Sequence, residues 1–321
     1  PAQTGYTFIT RNVGSMRNQG WEIALNYNGS SGKDFQYGVN ATFSTIKNTL
    51  TSITSGTDAV TNFGGLGLTG QGWNEFTRSK VGGPVGEFYG YQSLGIFQSQ
   101  DEIDALNKKA PGGIYYRAAT KPGDRYFADI TNDGIVNADD RTNIGNPQPK
   151  FFGGLNLDGS YKAWDLNLYF YGVYGNKILN YVESNLESFQ KRGSEGVENV
   201  SVDYYQNHWT PTNPSNRYAR ALANDDNTLN NVPSSIWVEN GSYLKLKNLT
   251  IGYTLPAGLL KRYMISRMRL YVSTQNLFTI TSYSGLDPEI GIQGGNATQN
   301  GVDNGTYPSS RYYTFGLNVT L

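Results

Sequence analysis

The sequence contains no cysteine and only one histidine, and these absences remove much of conventional enzyme chemistry. Without cysteine there is no disulfide, no thiolate metal site and no thiol nucleophile. His208 alone argues against a histidine-based catalytic triad and against a multi-histidine metal site. The 26 basic residues balance 26 acidic ones, which argues against a nucleic-acid binder, because that function needs a cationic excess.

Long apolar runs are missing as well. No run approaches the roughly 20 residues of a membrane helix, so any crossing of a membrane would have to use β-strands. The mean hydropathy of -0.50 does not oppose such a crossing, because a barrel strand turns only every second residue toward lipid. The chain starts at Pro1 with no signal segment after it, and we therefore expect a mature or truncated polypeptide.

Apolar and polar residues alternate with a period of two over much of the chain, which predicts β-strands. In one strand, for example, Trp164, Leu166 and Leu168 alternate with Asp165 and Asn167. The pattern predicts seven strands, at about residues 21–28, 35–44, 151–159, 164–173, 243–255, 268–276 and 313–321.

The connections between these strands alternate in length. The short ones lie at 29–34, 160–163 and 256–267, and the long ones at 46–150, 174–242 and 277–310. Outer-membrane barrels have short periplasmic turns and long extracellular loops, so this alternation predicts an antiparallel transmembrane β-barrel with the long connections outside the cell. A single hairpin of this kind would fit a soluble sandwich equally well. Three hairpins with the same asymmetry, and aromatic residues at the strand ends, favour the barrel.

Seven strands cannot close a barrel, because two edges would stay unpaired in lipid. We therefore expect residues 1–321 to be the C-terminal part of one larger barrel domain.

Short motifs along the chain support this expectation. They are NVGSMRNQGWE at 12–22, GEFYGY at 86–91, GIF at 95–97, GDRY at 123–126, IGNP at 144–147, NGSYLKLKN at 240–248, NLF at 276–278 and YSGLDPE at 283–289. This ordered set resembles the C-terminal third of the SusC/RagA family of TonB-dependent outer-membrane transporters. One departure is the last residue, which is usually Phe in that family and is Leu321 here.

The resemblance implies a 22-stranded barrel with an N-terminal plug, of which this chain holds about the last seven strands. It also implies a SusD-like surface lipoprotein as partner. Import would be driven by TonB, through an N-terminal region that is missing here. The family imports nutrients and carries out no covalent chemistry, so the resemblance implies that the protein is not an enzyme.

Residues 129–140 follow the spacing of an EF-hand-like calcium loop, with Gly134 at the sharp turn. Position 12 holds Asp where the usual ligand is a bidentate Glu, and the shorter side chain predicts weaker binding or a shifted geometry. We expect a structural Ca²⁺ here that stabilises the fold of the 46–150 connection. The alternative is a surface turn rich in Asn, Asp and Gly that binds no metal. The predicted ligands are Asp129, Thr131, Asp133, Ile135 through its carbonyl, Asn137 and Asp140.

An aromatic cluster in the 174–242 connection supplies the candidates for substrate binding. Tyr204, Tyr205 and Trp209, with His208 beside them, offer rings that could stack on a sugar or contact a peptide. Packing of these rings within the loop or against the lipoprotein lid is the alternative that we favour.

Two other features receive structural interpretations. The carboxylate pairs Glu183/Glu187 and Asp225/Asp226 are expected to be solvated at the surface. Nothing in the sequence places either pair in a pocket, at the defined separation that a glycosidase needs. The glycine-rich stretch 64–70 is expected to be a flexible loop. It lacks the preceding strand, the following helix and the Lys-Ser/Thr pair of a phosphate-binding loop.

The leading hypothesis is therefore a multi-pass barrel in the outer membrane of a Gram-negative bacterium, which imports a glycan or an oligopeptide. Its partners would be the SusD-like lipoprotein, TonB, outer-membrane lipid and the imported substrate, without nucleic acid. One alternative is a secreted, soluble β-sandwich that binds carbohydrate. A weaker one is a cell-surface glycoside hydrolase.

Overall fold

The computed structural model describes residues 14–53, 59–61, 73–188, 199–222, 230–292 and 297–321. In this part of the chain the strands are β1 (Ser15–Gln19), β2 (Glu22–Ser31), β3 (Phe35–Thr45), β4 (Lys47–Ser52), β5 (Ala59–Thr61), β6 (Thr77–Lys80), β7 (Glu87–Gly90), β8 (Ser93–Ile96), β9 (Arg125–Phe127), β10 (Thr142–Gly145), β11 (Phe151–Tyr161), β12 (Trp164–Tyr174), β13 (Lys177–Asn180), β14 (Val238–Asn240), β15 (Tyr243–Thr254), β16 (Arg267–Thr281), β17 (Val302–Asp303) and β18 (Tyr312–Thr320). The α-helices are α1 (Gln100–Lys109), α2 (Tyr181–Leu186), α3 (Val202–Asn207) and α4 (Ala257–Leu260). None of the described helices has the length and apolar character needed to cross a membrane.

One antiparallel sheet of seven long strands, called the wall below, contains all seven strands that the alternation predicts. Its strand order is β18-β16-β15-β12-β11-β3-β2, so neighbours in the sheet are also neighbours among the long strands along the chain. The predicted strands and the short–long alternation of their connections are confirmed. The last strand pair differs in one respect, because β16 continues to Thr281 whereas the alternation predicts an end at about 276.

The longer β16 has a local cause. Asn276 has a left-handed backbone with φ of 52°, and the pairing register shifts beside it. This irregularity interrupts the period of two, and the strand resumes beyond it. The third long connection therefore begins at residue 282 rather than at 277.

The wall has one apolar face, formed by rows of side chains that lie directly opposite one another across the strands. One row joins Tyr27, Val39, Leu157, Leu168 and Leu249. The side chains of this face are exposed. Phe315, for example, has 80% of its surface exposed. The other sheets among the described strands are short ones of two to four strands, and the apolar side chains of the wall stay exposed.

Aromatic side chains border the apolar face at both strand ends. At the end where the long connections leave, Phe151 lies 5.3 Å from Phe43 and 4.9 Å from Tyr174 between ring centroids. At the end of the short turns, Trp164 lies 4.8 Å from Tyr253. Phe151 and Tyr161 are ten residues apart, which is about 34 Å along a strand and about 24 Å in height at a tilt of about 45°. This matches the apolar band of an outer-membrane barrel, which is about 25 Å tall.

The first hairpin of the wall continues past the sheet as a two-stranded ribbon of β1 and β4. The ribbon begins at Gly20, where a Cβ would lie only 1.9 Å from the carbonyl oxygen of Thr45. Only glycine permits this approach of the two backbones. Most of the 12–22 motif therefore forms the ribbon strand β1 and its junction with the wall. Residues 12 and 13 lie outside the described part.

The three long connections pack together into one folded unit, called the cap below. Its main core draws residues from all three connections: Trp73, Phe76, Phe88, Leu179, Tyr181, Trp237 and Val302. A small sheet of order β14-β13-β17 also joins the second connection to the third. The largest buried side chains of the described chain lie mainly in the cap, whereas the wall leaves its apolar face exposed.

The two faces of the wall make a specific prediction about membrane assembly. Changing Leu168 to Arg places a cation near the middle of the apolar face, which costs about 2–4 kcal/mol in a lipid-facing position. We expect the Leu168→Arg variant of the complete polypeptide to accumulate less folded, heat-modifiable barrel in the outer membrane. The matched control is Asn167→Arg, which adds the same charge one residue away on the opposite face beside Asp158. Equal assembly of the two variants would contradict the assignment of the faces.

Candidate functional site

The face of the wall opposite to the apolar one is polar and almost neutral. One row crosses all seven strands through Asn26, Asn40, Asn156, Tyr169, Asn248, Gln275 and Tyr312. Below it, Asn167 Nδ2 donates to Asn156 Oδ1 at 2.9 Å and to Asp158 Oδ1 at 2.6 Å. The amide and hydroxyl groups among these side chains donate and accept hydrogen bonds without carrying a charge, so this surface suits a wet lumen.

One ion pair bridges three strands of this polar face. Arg269 Nε on β16 donates to Asp165 Oδ2 on β12 at 2.9 Å, across β15. Gly252 of β15 lies beneath the pair, and a Cβ there would be 2.3 Å from the Asp165 carboxylate. The absence of a side chain at Gly252 therefore makes room for the bridge.

A buried ion cluster ties the third long connection to the polar face. Lys245 Nζ lies 3.0 Å from Asp287 Oδ1 and 2.8 Å from Glu289 Oε2, and Lys247 Nζ lies 2.5 Å from Glu289 Oε1. Only 1% of the Lys245 side chain is exposed. Lys245 and Lys247 share this face because they are two residues apart on β15. The register shift between Leu246 and Asn248 places Asn248 on the same face as well.

The hydrogen bonds around Asp287 hold it in the ionised form. Burial by itself would raise the pKa of Asp287. Hydrogen bonds from Ser309, from the Glu289 N–H and from Lys245 outweigh burial and lower the pKa to about 2.

A second buried cluster joins the first and second connections inside the cap, and it contains the Asp124-Arg125 pair of the 123–126 motif. Arg220 Nε lies 2.6 Å from Asp124 Oδ1, and Arg125 NH2 lies 3.5 Å from Glu187 Oε2. The Arg125 guanidinium also lies 5.0 Å from the centre of the Trp237 ring. The neighbouring glycine is required, because a Cβ on Gly123 would lie 2.4 Å from the Trp209 ring.

The expectation that Glu183 and Glu187 are solvated at the surface is wrong for Glu187, which is buried. Arg217 NH2 binds Glu183 Oε1 at 2.5 Å and Glu187 Oε1 at 2.7 Å. Burial raises the pKa of Glu187 to about 8, and Arg217 and Arg125 offset only part of that rise. The two acids face arginines of the cap rather than water. The pair Asp225/Asp226 and the stretch 64–70 lie outside the described residues.

The 129–140 segment folds as a tight loop that its own hydrogen bonds hold. Asp140 Oδ1 accepts from the backbone of Ile130 at 2.8 Å and of Thr131 at 3.0 Å, and from the Thr131 hydroxyl at 3.0 Å. Asp129 Oδ2 accepts from the Gly134 N–H at 2.8 Å.

These bonds fit a calcium ligand set only in part. Asp140 Oδ1 has three donors already, so it has little capacity left for a metal. No group of three or more acidic or histidine side chains in the described chain converges as a metal site. Asp129, Asp133 and the Ile135 carbonyl remain as candidate ligands, with Thr131 and Asn137 beside them. The calcium site stays a prediction.

The aromatic candidates divide between the interior and the surface. Tyr204 is buried, and its hydroxyl donates to the Arg220 carbonyl at 3.3 Å. Trp209 is nearly buried and donates through Nε1 to Gln98 Oε1 at 3.0 Å. Tyr205 is 68% exposed. The first two rings pack within the cap, and of the three only Tyr205 exposes its ring to solvent.

Sequence reasoning missed the charged residues that hold the cap, although it had singled out the motifs that contain them. The available signal was two lysines in an otherwise alternating strand, Lys245 and Lys247. Their partners are 42 residues away in the chain, so spacing gave no indication of the pairing.

Comparison with known proteins finds relatives along the entire chain. It is 33% identical to TonB-dependent receptor P3 and 32% identical to TonB-dependent receptor P26 of Formosa agariphila, over 99% and 100% of its length. It is 24% identical to the TonB-dependent receptor SusC of Bacteroides thetaiotaomicron, over 97% of its length. The chain spans 30%, 31% and 27% of these three relatives. No family model matches the chain.

The fold also has solved counterparts. A chain of the RagAB peptide transporter superposes with a TM-score of 0.72 at 23% identity, covering 99% of this chain and 30% of that one. The RagAB peptide importer in its open-open state gives a TM-score of 0.68 at 24% identity, covering 100% of this chain and 30% of the other.

The Lys245 cluster predicts how the third connection is held. Changing Lys245 to Met leaves Asp287 buried without its cation, and breaking a buried ion pair in this way costs about 3–5 kcal/mol. We expect hydrogen exchange in peptides covering 282–292 to accelerate by at least about a hundredfold. Lys261→Met, which removes an exposed lysine from a short turn, is the control. Unchanged protection in Lys245→Met would contradict an anchoring role.

The same cluster predicts a dependence on pH. Because the pKa of Asp287 in the folded protein is about 2 and the unfolded value is about 3.9, its stabilisation is complete above pH 4–5. It is lost as the pH falls toward 2. Hydrogen exchange of residues 282–292, measured against pH and corrected for intrinsic rates, should show this loss, and Asp287→Asn should reduce it. Equal pH dependence in both proteins would contradict the prediction.

The 129–140 loop predicts weak calcium binding, of about 10⁻⁴–10⁻³ M, because Asp140 is committed to backbone donors. Titration calorimetry of the complete protein should detect this binding, and Asp129→Asn should abolish it. Asp139→Asn is the matched control, since position 11 of such a loop is not a ligand. Absence of binding heat in the unsubstituted protein would refute the site.

Proposed function

Since the chain is homologous along its whole length to TonB-dependent receptors of the SusC/RagA type, we propose that it forms the C-terminal part of an outer-membrane nutrient importer. The chain covers about 30% of such a receptor. The remaining strands and the plug would come from the N-terminal part of the complete polypeptide. They would pair with the open edges β2 and β18 and close the barrel.

The observation that carries this proposal is the two-sided wall. Its apolar face is exposed and bordered by aromatic residues at both ends, as the lipid side of a barrel requires. Its opposite face is lined by uncharged polar side chains and paired ions, as a lumen requires. A soluble protein would need to cover the first of these faces, whereas lipid covers it without any further protein.

The cap would form the outer vestibule of the importer. Its core unites the three long connections, and the Lys245 cluster holds the third connection on the lumen side of the wall. Substrate passing into the barrel would meet these cap surfaces first. A SusD-like surface lipoprotein would bind on top of the cap and close it over the substrate.

We propose a glycan or an oligopeptide as the substrate. Amide and hydroxyl groups of the polar face can exchange hydrogen bonds with sugar hydroxyls and with peptide groups alike. The exposed ring of Tyr205 offers one contact for such a ligand. Import would draw its energy from the inner membrane through TonB, and the wall contributes binding and passage rather than covalent chemistry.

The experiment that tests this proposal starts with the native protein in its host. Detergent extraction of outer membranes should release a polypeptide about three times the length of this chain, together with a lipoprotein, as a chain covering 30% of its relatives implies. Deleting its gene should abolish uptake of its substrate, and so should deleting the gene for TonB. A water-soluble species near 35.4 kDa would overturn the proposal.

A further inference from the structure

The apolar face of the wall contains a groove near its cap end. Its floor is formed by Gly153 of β11 and Gly172 of β12, which lie directly opposite each other. The groove is open along its length, has a volume of about 1080 Å³ and is lined mostly by apolar groups. Two adjacent residues without side chains therefore leave a depression in a face that is otherwise covered by large apolar groups.

Large side chains surround the two glycines on every side. In the same cross-strand row, Phe43 flanks Gly153 and Leu244 flanks Gly172. The stacked rings of Phe151 and Tyr174 border the groove toward the cap. Leu155 and Phe170 border it toward the turn end. All six residues line the cavity and stand on the apolar face.

The floor of the groove requires no hydrogen-bonding ligand. The backbones of β3, β11, β12 and β15 pair in regular antiparallel register at the two glycines. The shift in the β12–β15 register lies two residues from Gly172, between Tyr169 and Phe170. A partner in the groove would gain only apolar and dispersion contacts, which a hydrocarbon chain supplies.

The rim at the cap end is polar but uncharged. Ser242 Oγ donates to Asn240 Oδ1 at 2.7 Å, and Asn240 Nδ2 donates to Ser282 Oγ at 3.3 Å. These three residues line the same cavity. They lie beyond the aromatic border formed by Phe151 and Tyr174, where the ester or amide linkage of a lipid would lie if its chain filled the groove.

We propose that this groove binds one acyl chain of an outer-leaflet lipid, with the linkage carbonyl at the Asn240–Ser242–Ser282 rim. The inference rests on the proposed function, because it needs the apolar face to contact a membrane. The groove continues the lipid-facing apolar face, and the backbone groups of its floor are paired within the sheet. Its polar rim lies next to the aromatic border at the cap end. A bound acyl chain would fill the groove over Gly153 and Gly172 and pack against the aromatic border.

Native mass spectrometry of the complete receptor, purified without any lipoprotein partner, tests the proposal. The probe is a phospholipid with two palmitoyl chains, added in detergent. The receptor should retain one lipid, and Gly172→Phe should lower its retention about tenfold by filling the groove. A Cβ at Gly172 meets Leu244 and the Tyr243 carbonyl no closer than 3.4 Å, so the substitution fits the backbone.

Gly159→Phe is the matched control. Gly159 lies on the same face as Gly172 but on the neighbouring strand β11, toward the turn end, and a Cβ there has no neighbour within 4 Å. This control should retain lipid like the unsubstituted receptor. If Gly172→Phe does not assemble, Leu244→Phe narrows the groove from its side and should also lower retention.

Equal retention by Gly172→Phe and Gly159→Phe would overturn the proposal. So would a groove that is filled by a second copy of the receptor, or lipid retention that appears only when an acylated lipoprotein is present. A receptor that assembles and imports its substrate but retains no lipid would refute this inference alone. A protein that never reaches the outer membrane would refute the proposed function as well.

Discussion

The constraint on which the structure depends is the pairing of every backbone N–H and C=O group in the wall. Lipid offers these groups no partner, so each strand has to lie in an unbroken ladder with its neighbours. The five central strands meet this constraint within the chain, and β2 and β18 meet it on one side only. The ladder in turn fixes which side chains face lipid. Glycine is retained where two backbones come close, as at Gly153, whose Cβ would lie 2.2 Å from the Thr42 carbonyl oxygen.

The wall contributes little buried apolar core of its own, and this explains the composition of the long connections. Their large aromatic residues supply a separate core, with Trp73, Phe88 and Trp237 among its members. That core joins all three connections, so none of them behaves as an independent loop. The cap is thus a folded unit whose parts are separated in the chain by strands that cross the membrane.

The wall was predictable from the sequence because its physics is local. The period of two within one strand is visible in a stretch of about ten residues. All seven strands followed from it, and their positions in the chain gave the alternation of short and long connections. Where the local rule fails, as at Asn276 with its left-handed backbone, the predicted strand end was wrong by five residues. The cap was not predictable in this way. Glu187 pairs with Arg125 across 62 positions, and no periodicity connects them.

The junction between cap and wall is made by ions for a physical reason. The lumen side of the wall carries mainly polar side chains, so a connection that lies on it finds little surface for hydrophobic burial. Buried ion pairs add little net stability when compared with apolar packing, but they are strongly unfavourable when one partner is displaced. The cluster of Lys245, Asp287 and Glu289 therefore specifies one position of the third connection. A cap that has to keep its position beside a polar face needs this kind of contact.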